Sequence, residues 1–170
     1  MSSMDGIKNR SARSKKSRPP QLASDMQFTD IESFAEACGW DQSFRQLSAG
    51  RLLGRVRTLV GTGCIAMKLE LNQAYHQIGR TIPGFVTFGL PDPTSGDFRW
   101  GGAATRGGEF LSFDHPGGFE GTSGKNFSGC AISFPRERLE DLAETLDIPI
   151  DLDRVLDGRS VLASDTRSTA

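Results

Sequence analysis

The chain has 170 residues and a formal net charge of −1, which averages two unlike parts: in the first twenty residues Lys8, Arg10, Arg13, Lys15, Lys16 and Arg18 oppose only Asp5, and afterwards fourteen basic residues meet twenty acidic ones. A body of about 150 residues buries roughly 70% of the surface its unfolded chain exposes, so it needs no disulfide or metal to hold a core. The longest weakly polar stretch, Leu59 to Met67, is far short of the ~20 apolar residues of a spanning helix, no apolar run follows the basic start as a secretory signal requires, and the widely spaced Cys38, Cys64 and Cys130 read as reduced thiols of a cytoplasmic protein with no membrane partner.

Residues 1–24, rich in Ser, Lys, Arg and Pro, cannot bury enough apolar surface to offset ordering entropy and are expected to be a disordered basic tail. Its clustered cations allow weak contact with nucleic acid through counterion release, though no aromatic is interleaved for base stacking. A single domain is expected over 25–148. Within it, Thr29 three residues before Glu32 spells a capping box, and Ile31, Phe34, Ala35 and Cys38 follow at i, i+3, i+4 and i+7, predicting a short helix over 29–38 that Gly39 ends.

The composition then changes. Seventeen of the twenty glycines fall between Gly50 and Gly129 and punctuate short runs, the signature of an antiparallel sandwich or barrel. Arg55 to Val60 and Ile65 to Asn72 alternate in polarity around Gly61-Thr62-Gly63 and predict a hairpin. Further strands are expected at 85–90, 98–101, 109–114, 119–122 and 128–134, separated by turn residues. After Phe134 the period returns to helical: Pro135 suits a first turn, and Leu139, Leu142, Ala143 and Leu146 form a narrow stripe that Pro149 stops. That stripe either covers the barrel or meets a copy of itself. Residues 149–170 are polar and read as a linker-like tail.

Aromatics concentrate in the predicted strands. Phe85, Phe88, Trp100 and Phe113, with Tyr75, His76 and Arg80 as polar neighbours, are the candidates for lining a small-molecule pocket inside the barrel, since small barrels enclose modest apolar ligands. The strand pattern resembles a cupin-like double-stranded β-helix. Cupin enzymes hold a metal through a His-x-His pair, a carboxylate and another His, and this chain has only His76 and His115, with Glu120 near the second. A metalloenzyme using His76, His115 and Glu120 is therefore the alternative, while no metal, no cofactor and no catalysis is the expectation. Gly107-Gly108-Glu109-Phe110 spells the tetrapeptide of diguanylate cyclases, but here it reads as a β-turn entering a strand. No Gly-x-Ser-x-Gly elbow and no phosphate loop is present.

The segments Phe28-Thr29-Asp30, Gly39-Trp40-Asp41, Phe44 to Ser48, Leu71 to Arg80, Pro83 to Leu90 and Ile132 to Leu139 together resemble the N-terminal sensor half of AraC-type transcription regulators. The resemblance covers roughly 26–162. It implies a cupin-like antiparallel β-barrel, with a short N-terminal helix and a C-terminal helix, that binds an effector or a protein partner and forms a homodimer through Leu139, Leu142 and Leu146. It also implies a helix-turn-helix module for DNA. The twenty-one residues after Pro149 cannot hold one, so DNA contact is expected only through a module absent from this chain, which would make it a truncated or stand-alone regulator.

Overall fold

The computed structural model describes residues 21–105, 109–114, 117–149, 151–156 and 161–162. In chain order the described elements are β1 (Gln21–Phe28), α1 (Ile31–Ala37), β2 (Asp41–Gln46), β3 (Gly54–Val60), β4 (Ile65–Leu71), β5 (Tyr75–Arg80), β6 (Phe85–Pro91), β7 (Phe98–Trp100), β8 (Ala103–Ala104), β9 (Phe110–Ser112), β10 (Phe119–Ser123), β11 (Phe127–Pro135), α2 (Arg136–Thr145), α3 (Leu152–Leu156) and β12 (Val161–Leu162). A seven-stranded sheet has the order β1-β3-β4-β11-β6-β9-β12 and faces a five-stranded sheet of order β2-β5-β10-β7-β8. Every strand pair is antiparallel.

The fold is thus mainly β and of the two-sheet kind expected of a cupin-like domain, with one correction: the sheets do not close into a barrel. On one side α1 bridges the seam, touching β1 and β3 of the first sheet and β2 of the second. Its cap is Asp30 rather than Thr29. The Asp30 carboxylate accepts the Ser33 N–H at 2.7 Å, and that hydrogen bond holds its pKa below the usual range.

The alternating runs of the larger sheet fold as their polarity dictates. β3 and β4 form the predicted hairpin in the register Val60↔Ile65 to Gly54↔Leu71, which turns Val56, Met67 and Leu71 inward. Between the sheets the rings of Phe34, Phe44, Tyr75, Phe127, Phe98, Trp100 and Phe119 touch in sequence, with centroids 4.9 to 5.9 Å apart. Such pairs contribute ~0.5–1.5 kcal/mol each beyond the area they bury. Glycine makes room for them: a Cβ on Gly121 would lie 2.8 Å from the Trp100 ring, and one on Gly89 2.7 Å from Phe113.

Four expectations change. β1 begins at residue 21, so the basic tail reaches only to residue 20 at most. The strand is legible as a strand only through its pairing with β3, because nearly all its residues are exposed. β2 and β5 were not expected, and His76 is the second residue of β5. The tail after 149 is not all linker: α3 buries Leu152 and Leu156 beside Val86, and β12 pairs with β9. Five residues are too few for a helical stripe to show. Finally, Leu139 packs with Phe88 on that same cluster, whereas Leu142 and Leu146 are exposed.

The connection between β2 and β3 is held by the polar residues of the segment that follows β4. Asn72 accepts the Leu53 N–H at 2.7 Å and donates to the Arg51 carbonyl at 3.1 Å, and the Ser48 hydroxyl donates to Gln73 at 2.6 Å. This part of the Leu71 to Arg80 motif therefore fixes a loop.

Candidate functional site at the mouth of the sandwich

Two spaces adjoin Trp100. The first is a cavity of about 30 Å³ between the sheets, bounded by Trp40, Gln42, Tyr75, Gln77, Trp100 and Phe113 among others. It has room for about one water, against the ~300–1,000 Å³ of a typical ligand pocket. Tyr75, Trp100 and Phe113 are consequently packing residues of a filled interior. Burial at Tyr75 drives its pKa well above the ordinary value.

The second is a groove of about 740 Å³. It opens where β2 begins, β5 and β7 end, and β10 begins, so four of the five strands of the smaller sheet contribute. Trp100 and Ser112 form its inner part, with the indole N–H donating to the Ser112 carbonyl at 2.9 Å. Asp41, Gln42, Arg80 and Glu120 supply its polar side chains, and Ile78 and Phe119 its apolar ones.

Both faces of the β2–β5 pair reach this mouth because it lies at the strand ends. Asp41 pairs in register with Arg80 on the outer face, and Gln42 with Gly79 on the inner face. Gln42 borders the groove and the cavity alike. Its amide nitrogen and oxygen are both buried, and neither has a hydrogen-bond partner among the described residues. The amide leans toward the Cys38 thiol and opposes the burial that pushes that thiol up to about 12, but the contact falls outside hydrogen-bonding geometry. A buried amide left unpaired costs ~1–3 kcal/mol, so this side chain stands out.

At the same end, the hydroxyls of Thr87 and Ser133 lie 2.8 Å apart in the core, and the Thr87 N–H donates to Asp114 at 2.7 Å. Partial burial raises the pKa of Asp114 despite that bond and the nearby Arg136.

Of the seven residues expected to line one pocket, the structure places Arg80 and Trp100 on the groove and Tyr75, Trp100 and Phe113 around the small cavity. Phe88 joins Val86 and Leu139 against α3, and Phe85 stands half-buried at the start of β6. His76 Nε2 meets Glu120 Oε1 at 2.8 Å on the outer face of the smaller sheet. His115 lies outside the described residues, so its part in the alternative His76, His115 and Glu120 cluster is not placed. Among the described residues, no three His, Cys, Asp or Glu side chains gather as metal ligands, and no helix is long and apolar enough to cross a membrane.

No family model and no curated protein matches the chain. Among solved structures, the crystal structure of the AraC-like transcriptional activator CuxR is similar, with a TM-score of 0.51 and 13% identity over 73% of this chain. The fold is AraC-like. The chain spans about half of that protein, 52% of its length, and at this identity the likeness concerns fold alone.

Gln42, Asp41 and Ser43 escaped the sequence reading because β2 spells Asp-Gln-Ser-Phe-Arg-Gln, which has no apolar alternation beyond Phe44. The Gly39-Trp40-Asp41 segment of the AraC-type resemblance was the one signal pointing at this edge.

Proposed function

We propose that the chain is a ligand-sensing and dimerising regulatory domain of the AraC type, acting in transcription without catalysis and in the cytoplasm. The observation that carries this reading is the fold shared with the activator CuxR. The groove at the mouth supports a sensing role, because it joins the polar side chains of Asp41, Gln42, Arg80 and Glu120 to the exposed Ile78 in a volume typical of small-molecule sites. DNA would be read by a helix-turn-helix module of the kind such regulators carry rather than by the β-domain.

Self-association is supported by α2. Leu142 and Leu146 are 51% and 57% exposed, whereas Leu139 is turned into the fold. Arg136, Glu137, Arg138 and Glu140 lie in the first half of the helix, and Asp141 and Glu144 in the second. Two copies packed antiparallel would bury Leu142 and Leu146 in a shared apolar seam.

Light scattering on the purified chain tests the dimer. The wild type is expected at twice the chain mass, and Leu142→Glu at one, with its melting temperature nearly unchanged because the residue is exposed in the protomer. A wild type that stays monomeric at high micromolar concentration would sink the dimer. A thermal-shift screen of small metabolites tests sensing: stabilisation by a metabolite is expected, and its absence across the screen counts against the proposal.

A further inference from the structure

The groove contains a pair of opposite charges that do not use each other. Asp41 and Arg80 are direct partners in the β2–β5 register, a position from which side chains ~5 Å apart at Cβ readily meet. Elsewhere on the two sheets the ion pairs close on the diagonal rather than between direct register partners: Arg55 on Asp25 at 2.6 Å, Arg57 on Glu70 at 3.1 Å, and His76 on Glu120 at 2.8 Å. Asp41 and Arg80 make no ion pair with each other or with a third group among the described residues. Both line the 740 Å³ groove, and the unpaired amide of Gln42, the residue after Asp41, also borders it.

We propose that this groove binds a small zwitterion, an α-amino acid or dipeptide, with its carboxylate on the Arg80 guanidinium and its ammonium on Asp41. The proposal rests on the sensing role above and adds the ligand class. The charges argue for both signs on the ligand. A phosphate or dicarboxylate would meet Arg80 but be repelled by Asp41, with Glu120 on the same wall, and a simple cation would face Arg80. Glu120 is hydrogen-bonded to His76, whereas Asp41 has no ion-pair partner among the described residues and is the carboxylate open to an ammonium group. Ile78, 47% exposed, offers apolar area for the ligand's side chain, and the Gln42 amide offers one donor and one acceptor that a peptide group could satisfy after a small displacement. Arg is suited to the carboxylate because its planar fork binds both oxygens.

The test titrates the full chain with L-phenylalanine, L-leucine and glycyl-L-phenylalanine and follows tryptophan emission, since Trp100 lines the groove. N-acetyl-L-phenylalanine, L-phenylalaninamide and inorganic phosphate serve as controls. At least one free zwitterion is expected to bind, and acetylation, amidation, Arg80→Gln and Asp41→Asn are each expected to weaken it tenfold or more. Circular dichroism and melting of the two variants should match the wild type, because both residues are exposed. Equal binding of the blocked derivatives, competition by phosphate, or silence to every zwitterion would overturn the ligand class. A metabolite that stabilises the wild type and Arg80→Gln alike would overturn it while preserving the sensing role.

Discussion

The two sheets are made of different kinds of strand. In the larger one, β3, β4 and β11 turn Val56, Met67, Leu71 and Ala131 inward, and part of its outer face, around Val86, is covered again by Leu139, Leu152 and Leu156. In the smaller one, β2 and β5 turn Gln42, Gln46 and Gln77 toward the interior among their aromatics, and their outer face carries Asp41, Arg45, His76 and Arg80. The first sheet is spent on apolar burial, which is where most folding free energy originates. The second leaves polar groups at the mouth that no described neighbour satisfies, and recognition needs such groups.

The comparison breaks most visibly at Trp100, which belongs to the smaller sheet yet serves the core. Its ring is 1% exposed, lies against Phe98, Phe113 and Phe119, and ends in a hydrogen bond to Ser112. Trp100→Ala is expected to cost ~3–5 kcal/mol, a large share of the ~5–15 kcal/mol that a domain of this size holds. Urea unfolding measures it. A loss below about 1 kcal/mol would mean that the two sheets are not joined through this ring.

The same contrast explains what could be read from sequence. The hairpin of β3 and β4 announces itself because Ile65, Met67, Leu69 and Leu71 alternate with Ala66, Lys68 and Glu70, and a half-buried strand leaves that pattern wherever one face meets a core. Tyr-His-Gln-Ile-Gly-Arg in β5 leaves no such trace: its inward positions are Tyr75, Gln77 and Gly79, and its pairing is set by β2 and β10 far along the chain. Trp100 and Arg80 were visible as residue types that suit a pocket. That they meet at a mouth, while Tyr75 and Phe113 fill the interior, depends on which strand ends come together. The open seam bridged by α1 is likewise a matter of tertiary contact. β1 carries no buried residue to reveal it.

A smaller effect is expected at Gln42, where the comparison is sharpest. Gln42→Leu removes a buried amide that no described residue satisfies and keeps a similar volume beside Trp40 and Trp100. The variant should be more stable by up to ~1 kcal/mol, read as a higher urea midpoint at unchanged slope. Destabilisation by a similar amount would show that water or a ligand satisfies the amide in solution, and Gln42 would then join the larger sheet's logic of closed contacts. A stabilising substitution at a groove residue fits a site that trades stability for binding.

The smallest effect concerns slope rather than level. Asp114 sits where the two kinds of strand meet, its carboxylate taking the Thr87 N–H of β6 and, at 3.4 Å, the Thr81 hydroxyl that follows β5. Desolvation raises its pKa in the folded chain above the unfolded value, so the folded state holds its proton to higher pH. The corresponding stability is fully present below the unfolded pKa and is lost as pH rises through the folded pKa. Asp114→Asn removes the titration, and the wild type should therefore gain stability relative to this variant as pH falls from 7 toward 4, a trend that melting temperatures at several pH values will show. A difference that stays constant, or one that favours the variant at low pH, would mean that the carboxylate is held charged by Arg136 and the Thr87 N–H rather than pressed toward its neutral form by burial.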